Sequence, residues 1–298
     1  MNQDEHQTTG SAYRIAESTH IGYVHLRVRD LDHSLSFYLD VMGFRLVSGG
    51  PHTATLSATG RGPGLIVLTE KKDAPARPPR TTGLYHMAIR VPSRRALAQM
   101  IAHLEEAKWI VDGYADHDVS EAVYFADPDG NGIEVYSDRP RDEWPLRGGQ
   151  VEMITVPLDI DNLMRELSDW PSPWEGIDPN TVIGHIHLRV SNLEVAESFY
   201  RGVLGFDVTQ RDMVGALFMS AGGYHHHIGI NVWSSEGGTR PPADALGLIS
   251  FSLVLPDETA RRTLEARLAA AGSPARSDAE GGLRTADPDS NFIELTVR

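Results

Sequence analysis

The sequence predicts an α+β protein built from four βαβββ modules, and three observations carry that prediction. A strand-like block begins four times, at Gly22–Val28, Leu84–Ile89, His185–Val190 and Leu248–Leu253. Each start alternates polar and apolar residues like a half-buried strand, then runs into a helix-period stretch and further strands. The copies also alternate in kind. Copies 1 and 3 share the run DLDHSLSFYLDVMGF and NLEVAESFYRGVLGF, whereas copies 2 and 4 share the turns Asp127-Pro128-Asp129-Gly130 and Asp287-Pro288-Asp289-Ser290.

Copy 1 spans Ile21 to Glu70, and its first strand leads into a helix over Leu31–Leu39. There Leu31, Leu35, Phe37, Tyr38 and Leu39 form an apolar face, and Gly43 ends the helix. Copy 2 (Gly83–Asp138) has a longer helix, Arg94–Ala107, before a strand pair turned at DPDG. Proline fixes one dihedral angle of such a turn, and glycine or asparagine tolerates a left-handed one. Copy 3 repeats the short helix through Leu193, Val195, Phe199, Tyr200 and Leu204. Copy 4 (Leu246–Arg298) repeats the long one over Glu258–Ala271. Proline-rich stretches, Ala74–Pro79 and Gly237–Pro242, separate copies 1 from 2 and 3 from 4. The connector Arg139–Thr181 is longer, holds a strand at Val151–Val156 and a helix at Ile160–Leu167, and by its length marks the domain boundary. The expected organisation is a polar tail (1–20), a first module pair (21–138), the connector (139–181) and a second pair (182–298).

At 298 residues the chain can hold two ordinary cores. A formal charge of −14 argues against nucleic acid or an anionic membrane surface as partner. Cysteine is absent, which removes disulfides and thiolate metal sites and leaves His and carboxylate as strong ligands. Iron, manganese or zinc fit that ligand set better than soft metals. Met1–Thr19 is polar without an apolar signal core and no segment approaches a membrane span, so the expectation is a cytoplasmic protein.

His25, His86 and His187 fall at the same strand position in three copies, and the fourth has Ser250. Glu134 and Glu294 follow the two DPD turns. Histidines on one strand and a carboxylate on another can make a facial metal site. A lone strand histidine is more often simply hydrogen-bonded, which is the reading adopted for His25. The run His225-His226-His227 follows Gly222-Gly223 and precedes a strand, which places it at a pocket mouth. Strand alternation sends His225 and His227 to one face and His226 to the other.

Three stretches carry a family resemblance: Ala115–Tyr124, DPDGNGIEVYSDRP and GGYHHHIGINVW. There the chain resembles the vicinal oxygen chelate superfamily of glyoxalase I, bleomycin-resistance proteins and extradiol ring-cleaving dioxygenases, and most of all its bacterial catechol 2,3-dioxygenase group. The resemblance implies two cup-shaped mixed sheets with helices on the outside and one complete metal site. It implies that a B-type module supplies a His and a Glu, here His86 and Glu134, because copy 4 offers Ser250 with Glu294. The family's catalytic Tyr stands ten residues before that Glu, which is Tyr124 in copy 2 but Arg284 in copy 4. The A-type His comes from His25 or His187. The family places its proton-shuttling His at the start of the last A-type strand, where copy 3 has the HHH run and copy 1 has no acid or base. The expected set is therefore His86, Glu134 and His187 as metal ligands, His226 as base, and Tyr124 and His117 at the substrate. The preference for His226 runs against strict strand alternation, and an irregular strand start would reconcile them.

The implied cofactor is Fe(II), with Mn(II) as the alternative. The implied partners are a catechol and O2, in a homo-oligomer that binds neither nucleic acid nor membrane. The rival readings are hydroquinone cleavage, a glyoxalase-type isomerisation, and a non-catalytic protein that binds an aromatic compound. Glyoxalase I commonly uses a second carboxylate where copy 3 has Asn231, which counts against that rival.

Overall fold

The computed structural model describes residues 13–148, 150–168, 174–277 and 282–298. Module 1 consists of β1 (His20–Val28), α1 (Leu31–Ser36), β2 (Arg45–Gly49), β3 (Thr53–Ser57) and β4 (Ile66–Glu70). Module 2 consists of β5 (Gly83–Arg90), α2 (Arg94–Glu106), β6 (Val111–Asp116), β7 (Ser120–Ala126) and β8 (Gly132–Asp138). The connector adds the short strands β9 (Leu146–Arg147) and β10 (Gln150–Val151) and the helix α3 (Ile160–Met164). Module 3 holds β11 (Val182–Arg189), α4 (Leu193–Glu197), β12 (Asp207–Gln210), β13 (Ala216–Ser220) and β14 (Ile228–Asn231). Module 4 holds β15 (Gly247–Leu255), α5 (Glu258–Ala270), β16 (Arg276–Ser277), β17 (Leu283–Ala286) and β18 (Phe292–Val297).

The short helices of modules 1 and 3 do not run as plain α-helices. Both widen into π turns, over Phe37–Val41 and Ser198–Val203. The wide turn closes through Met42 N–H to the Phe37 carbonyl and Leu204 N–H to the Phe199 carbonyl. Gly43 and Gly205 then leave the helix at positive φ, 73° and 86°, a conformation that glycine adopts without steric penalty.

Among the described residues the strands form two eight-stranded mixed sheets and a two-stranded ribbon. One sheet runs β12-β13-β14-β11-β5-β8-β7-β6 and joins modules 3 and 2. The other runs β16-β17-β18-β15-β1-β4-β3-β2 and joins modules 4 and 1. Each sheet thus takes one module from each half of the chain, across antiparallel pairs β5–β11 and β1–β15. The module pairs do not follow the contiguous halves 21–138 and 182–298.

Strand alternation gives each sheet two distinct faces. On the module 2 side, Met87, Ile89, Val123, Phe125, Ile133 and Val135 enter the main core, which they share with Leu97, Met100 and Leu104 of α2. His86, Ala88, Tyr124, Glu134 and Tyr136 take the opposite phase, so the helix covers one face and leaves the other for a site. The DPD turns tie modules together. Asp127 accepts the Asn131 backbone and side-chain N–H groups at 2.9 and 2.8 Å, and the Tyr38 hydroxyl from module 1 at 3.0 Å. Asp287 repeats the arrangement with Asn291 and Tyr200, the latter at 2.9 Å. Tyr38→Phe should leave a buried carboxylate oxygen one donor short and lower stability by about 1–3 kcal/mol, read as a denaturation midpoint.

Candidate metal centre

Three buried donors converge on the pocket face of the module 2–3 sheet: His86, Glu134 and His185. Glu134 Oε2 lies 3.0 Å from His86 Nε2 and 3.1 Å from His185 Nε2, and the two nitrogens are 3.3 Å apart. Two ligands held at right angles around a metal at ~2.1 Å stand about 3.0 Å apart, and tetrahedral ones about 3.4 Å. The triangle's edges of 3.0, 3.1 and 3.3 Å fall within that range, so all three donors can reach one metal ion.

The sheet register explains why the three meet. Glu134 on β8 and His185 on β11 both pair with Ala88, the residue between them on β5, while His86 lies two residues back on the same face. Only a methyl group separates the outer two side chains. Ala88→Leu should fill that gap, spread Glu134 from His185 and abolish high-affinity divalent metal binding in a titration. Overpacking of this kind adds a stability loss of about 1–3 kcal/mol.

His187, expected to complete the set, stands outside the triangle. Its Nε2 accepts a hydrogen bond from the Asn231 amide at 2.9 Å, and its ring lies among Tyr85, Phe218 and Trp233. His185 reaches the triangle because it pairs with Ala88, level with Glu134, whereas His187 pairs with His86. Ile183 and His185 pair with Ile89 and Ala88, adjacent residues on β5, so Gly184 is an extra residue in β11. Bulges of this kind re-aim the neighbouring side chain. A Cβ at Gly184 would overlap the Tyr136 hydroxyl, so glycine is needed there. The sequence held a usable signal: His86 stands four residues before Arg90-Val91, and His185 four before Arg189-Val190.

The electrostatics favour a cation. Burial opposes ionisation of Glu134, yet His185 and His86 hold its carboxyl well below the usual range. Burial lowers His185 to about 4, despite the opposing pull of Glu134. An ionised carboxylate beside neutral imidazole is the donor state that a metal requires. It also leaves a buried negative charge that a divalent cation would compensate. The residues present fit such an ion.

A cavity of about 240 Å³ opens over the triangle. Its walls are mainly apolar, with Tyr85, Val119, Met153, Met213, Phe218 and Trp233 among the lining residues. Tyr124 and His117 also line it, and their contact fixes proton positions. His117 Nδ1 faces the Ile154 carbonyl at 2.7 Å and so carries a hydrogen, which leaves Nε2 to accept the Tyr124 hydroxyl at 2.7 Å. Burial, reinforced by the nearby Glu134, raises Tyr124 well above the usual phenol range and keeps it protonated.

The HHH run precedes β14 and is irregular. His226 lines the cavity with its ring 3.9 Å from that of His185, while His225 turns back to Asp138 at 3.0 Å. His227 accepts the Ala221 N–H at 3.2 Å, and burial lowers it to about 3.

The other sheet holds a counterpart built of different groups. Glu294 pairs with Arg284 in the register by which Glu134 pairs with Tyr124. Its carboxylate accepts the Tyr23 hydroxyl and, at 2.6 Å, the Ser250 hydroxyl. His25 lies in this second sheet and contacts the Thr69 hydroxyl at 2.8 Å, apart from the triangle. Among the described residues the His–His–carboxylate grouping occurs once.

Comparison with known proteins agrees with this architecture. A catechol-2,3-dioxygenase of Bacillus subtilis (strain 168) is 43% identical over 287 residues, which covers 95% of this chain and 99% of that protein. A crystal structure of a dioxygenase candidate from Bacillus subtilis subsp. subtilis strain 168 shares the fold with a TM-score of 0.66 at 14% identity, over 96% of this chain and 86% of that one. Glyoxalase I from Zea mays does so with a TM-score of 0.57 at 16% identity, over 93% and 92% of the two chains. The model of the Glyoxalase/Bleomycin resistance protein/Dioxygenase superfamily matches residues 20–135 and 182–295, and this chain belongs to that superfamily.

Proposed function

We propose that the protein is an Fe(II)-dependent extradiol dioxygenase that cleaves a catechol, with the metal held by His86, His185 and Glu134. The observation that carries this reading is the 3.0–3.3 Å triangle of two imidazoles and one carboxylate under a small, apolar-walled cavity. The 43% identity to a catechol-2,3-dioxygenase over nearly the whole chain supports it. Held by His86, His185 and Glu134, Fe(II) would supply a cationic centre able to activate a catecholate and dioxygen.

The chain's own residues do the rest. Tyr124 commits its proton to His117, so its oxygen is free to accept a substrate hydroxyl and orient the ring. His226, which burial lowers well below its ordinary value, is a neutral imidazole at the cavity wall that can take a proton from that substrate. Tyr85, Phe218 and Trp233 wall in a flat ring and limit water. A volume of about 240 Å³ is below the roughly 300–1,000 Å³ of drug-sized pockets and suits a single-ring substrate. Asn231 donates to His187 instead of presenting the second carboxylate of a glyoxalase.

The test is to load the protein with Fe(II) without oxygen, add catechol and admit air. A yellow ring-opened semialdehyde that retains both oxygen atoms of labelled O2 is the expected product. Tight catechol binding without turnover would point instead to a sequestering protein, and failure to bind Fe(II) would sink the proposal.

A further inference from the structure

Behind His226 lies a partly buried polar chain that the proposed chemistry does not use. Asp138, the last residue of β8, accepts His225 Nε2–H on Oδ1 at 3.0 Å and Arg90 on Oδ2 at 3.2 Å. The Tyr224 hydroxyl lies 3.1 Å from both oxygens and itself accepts the Tyr136 hydroxyl at 2.6 Å. The chain continues from His225 Nδ1 to His226 Nδ1 at 2.8 Å. It joins module 2 to module 3 and reaches the cavity at His226.

Two ring nitrogens 2.8 Å apart share one hydrogen, and the rest of the chain decides which carries it. A carboxylate can only accept, so the hydrogen between Asp138 and His225 sits on His225 Nε2. A neutral His225 then has only a lone pair at Nδ1. Arg90 already supplies the cation that Asp138 pairs with, and a second positive charge on buried His225 would be costly. His226 must therefore donate from Nδ1, which leaves its Nε2, on the far side of a ring that lines the cavity, with an unshared pair.

We infer that Asp138 and His225 are positioning residues that fix the tautomer of His226, so that it meets the substrate as a proton acceptor. This rests on the assignment of His226 as the base. The same logic predicts how one isosteric change inverts the chain. In Asp138→Asn the amide oxygen faces Arg90, a permanent donor, and its NH2 faces His225. His225 then accepts at Nε2 and donates from Nδ1, His226 accepts at Nδ1, and the hydrogen of His226 moves to Nε2. The base becomes a donor.

Two measurements test this. The first is nitrogen-15 NMR of histidine-labelled protein, metal-free and loaded with diamagnetic zinc. The wild type should show His226 protonated at Nδ1, and Asp138→Asn should show it protonated at Nε2. The second is turnover of the iron-loaded enzyme. Asp138→Asn should lose about 10²–10⁴-fold in kcat, with KM and Fe(II) affinity changed by no more than a few fold, because a wrong tautomer removes a base without removing a ligand. Wild-type protein with His226 protonated at Nε2 overturns the inference, even if the variant fails to fold. So does an Asp138→Asn enzyme that inverts the tautomer and keeps wild-type kcat. If wild-type protein binds iron but cleaves no catechol, the functional reading fails while the NMR result still decides the tautomer.

Discussion

His185→Ala should abolish Fe(II) binding and ring cleavage together, whereas His187→Ala should retain the metal. The two residues are neighbours on one face of β11, so composition, charge and burial change alike in both variants. Only one of them reaches the Glu134 oxygen, at 3.1 Å, and the other is committed to Asn231. Removal of one of three protein ligands typically destroys a site of this kind, and ligand-supporting groups matter by 10–100-fold. Isothermal titration of the metal-free protein with Fe(II) under argon separates the two. Retention of iron by His185→Ala together with its loss in His187→Ala would show that β11 shifts by two residues in the loaded protein. His25→Ala, in the other sheet, should alter neither binding nor turnover.

His226→Ala should keep iron and lose turnover. The side chain lies outside the triangle of donors but on the cavity wall against His185. An acid–base residue contributes about 10²–10⁴-fold, and that is the expected fall in kcat. Tyr124→Phe removes a hydroxyl held by His117 and should lower turnover with the iron retained, an effect that KM and kcat measured together will locate in binding or in chemistry. His227→Ala serves as the comparison within the run, because its imidazole accepts a backbone N–H away from the cavity. A full loss in His227→Ala with an active His226→Ala would reverse the assignment.

What the sequence made legible follows from how local each signal was. The four modules and the A, B, A, B order lie in short repeats, and so do His86, Tyr124 and Glu134. Those three sit within one module, on adjacent strands whose register is continuous from Ala126–Gly132 back to Ser120–Asp138. His185 is not among the residues weighed for the third ligand, because what separates it from His187 is cross-strand register and not strand phase: His185 pairs with Ala88, level with Glu134, and His187 pairs with His86. The π turns at Phe37 and Ser198 are hidden for a similar reason, since one extra residue in a turn leaves the apolar face almost unchanged. The HHH run is irregular, so that His226 lines the cavity although it stands two residues before the buried core residue Ile228. The chain Asp138–His225–His226 bridges residues 87 apart in sequence and has no motif of its own.

The order in which the sheets are assembled carries a consequence for the birth of the protein. Modules 2 and 3 are enclosed, in sequence, by modules 1 and 4, like an inner pair of brackets within an outer one. The inner sheet joins residues about 99 apart, such as His86 and His185, while the outer joins residues about 229 apart, such as Tyr23 and Ser252. Closing the longer loop costs slightly more entropy, roughly 0.6 kcal/mol per doubling of length. On the ribosome the difference is one of timing: the sheet with the metal triangle can close before the last strand, β18, has been made. We predict that a nascent chain stalled after residue 245 already retains Fe(II), while one stalled after residue 180 does not. Equal retention by both would mean that the triangle is not what holds the iron.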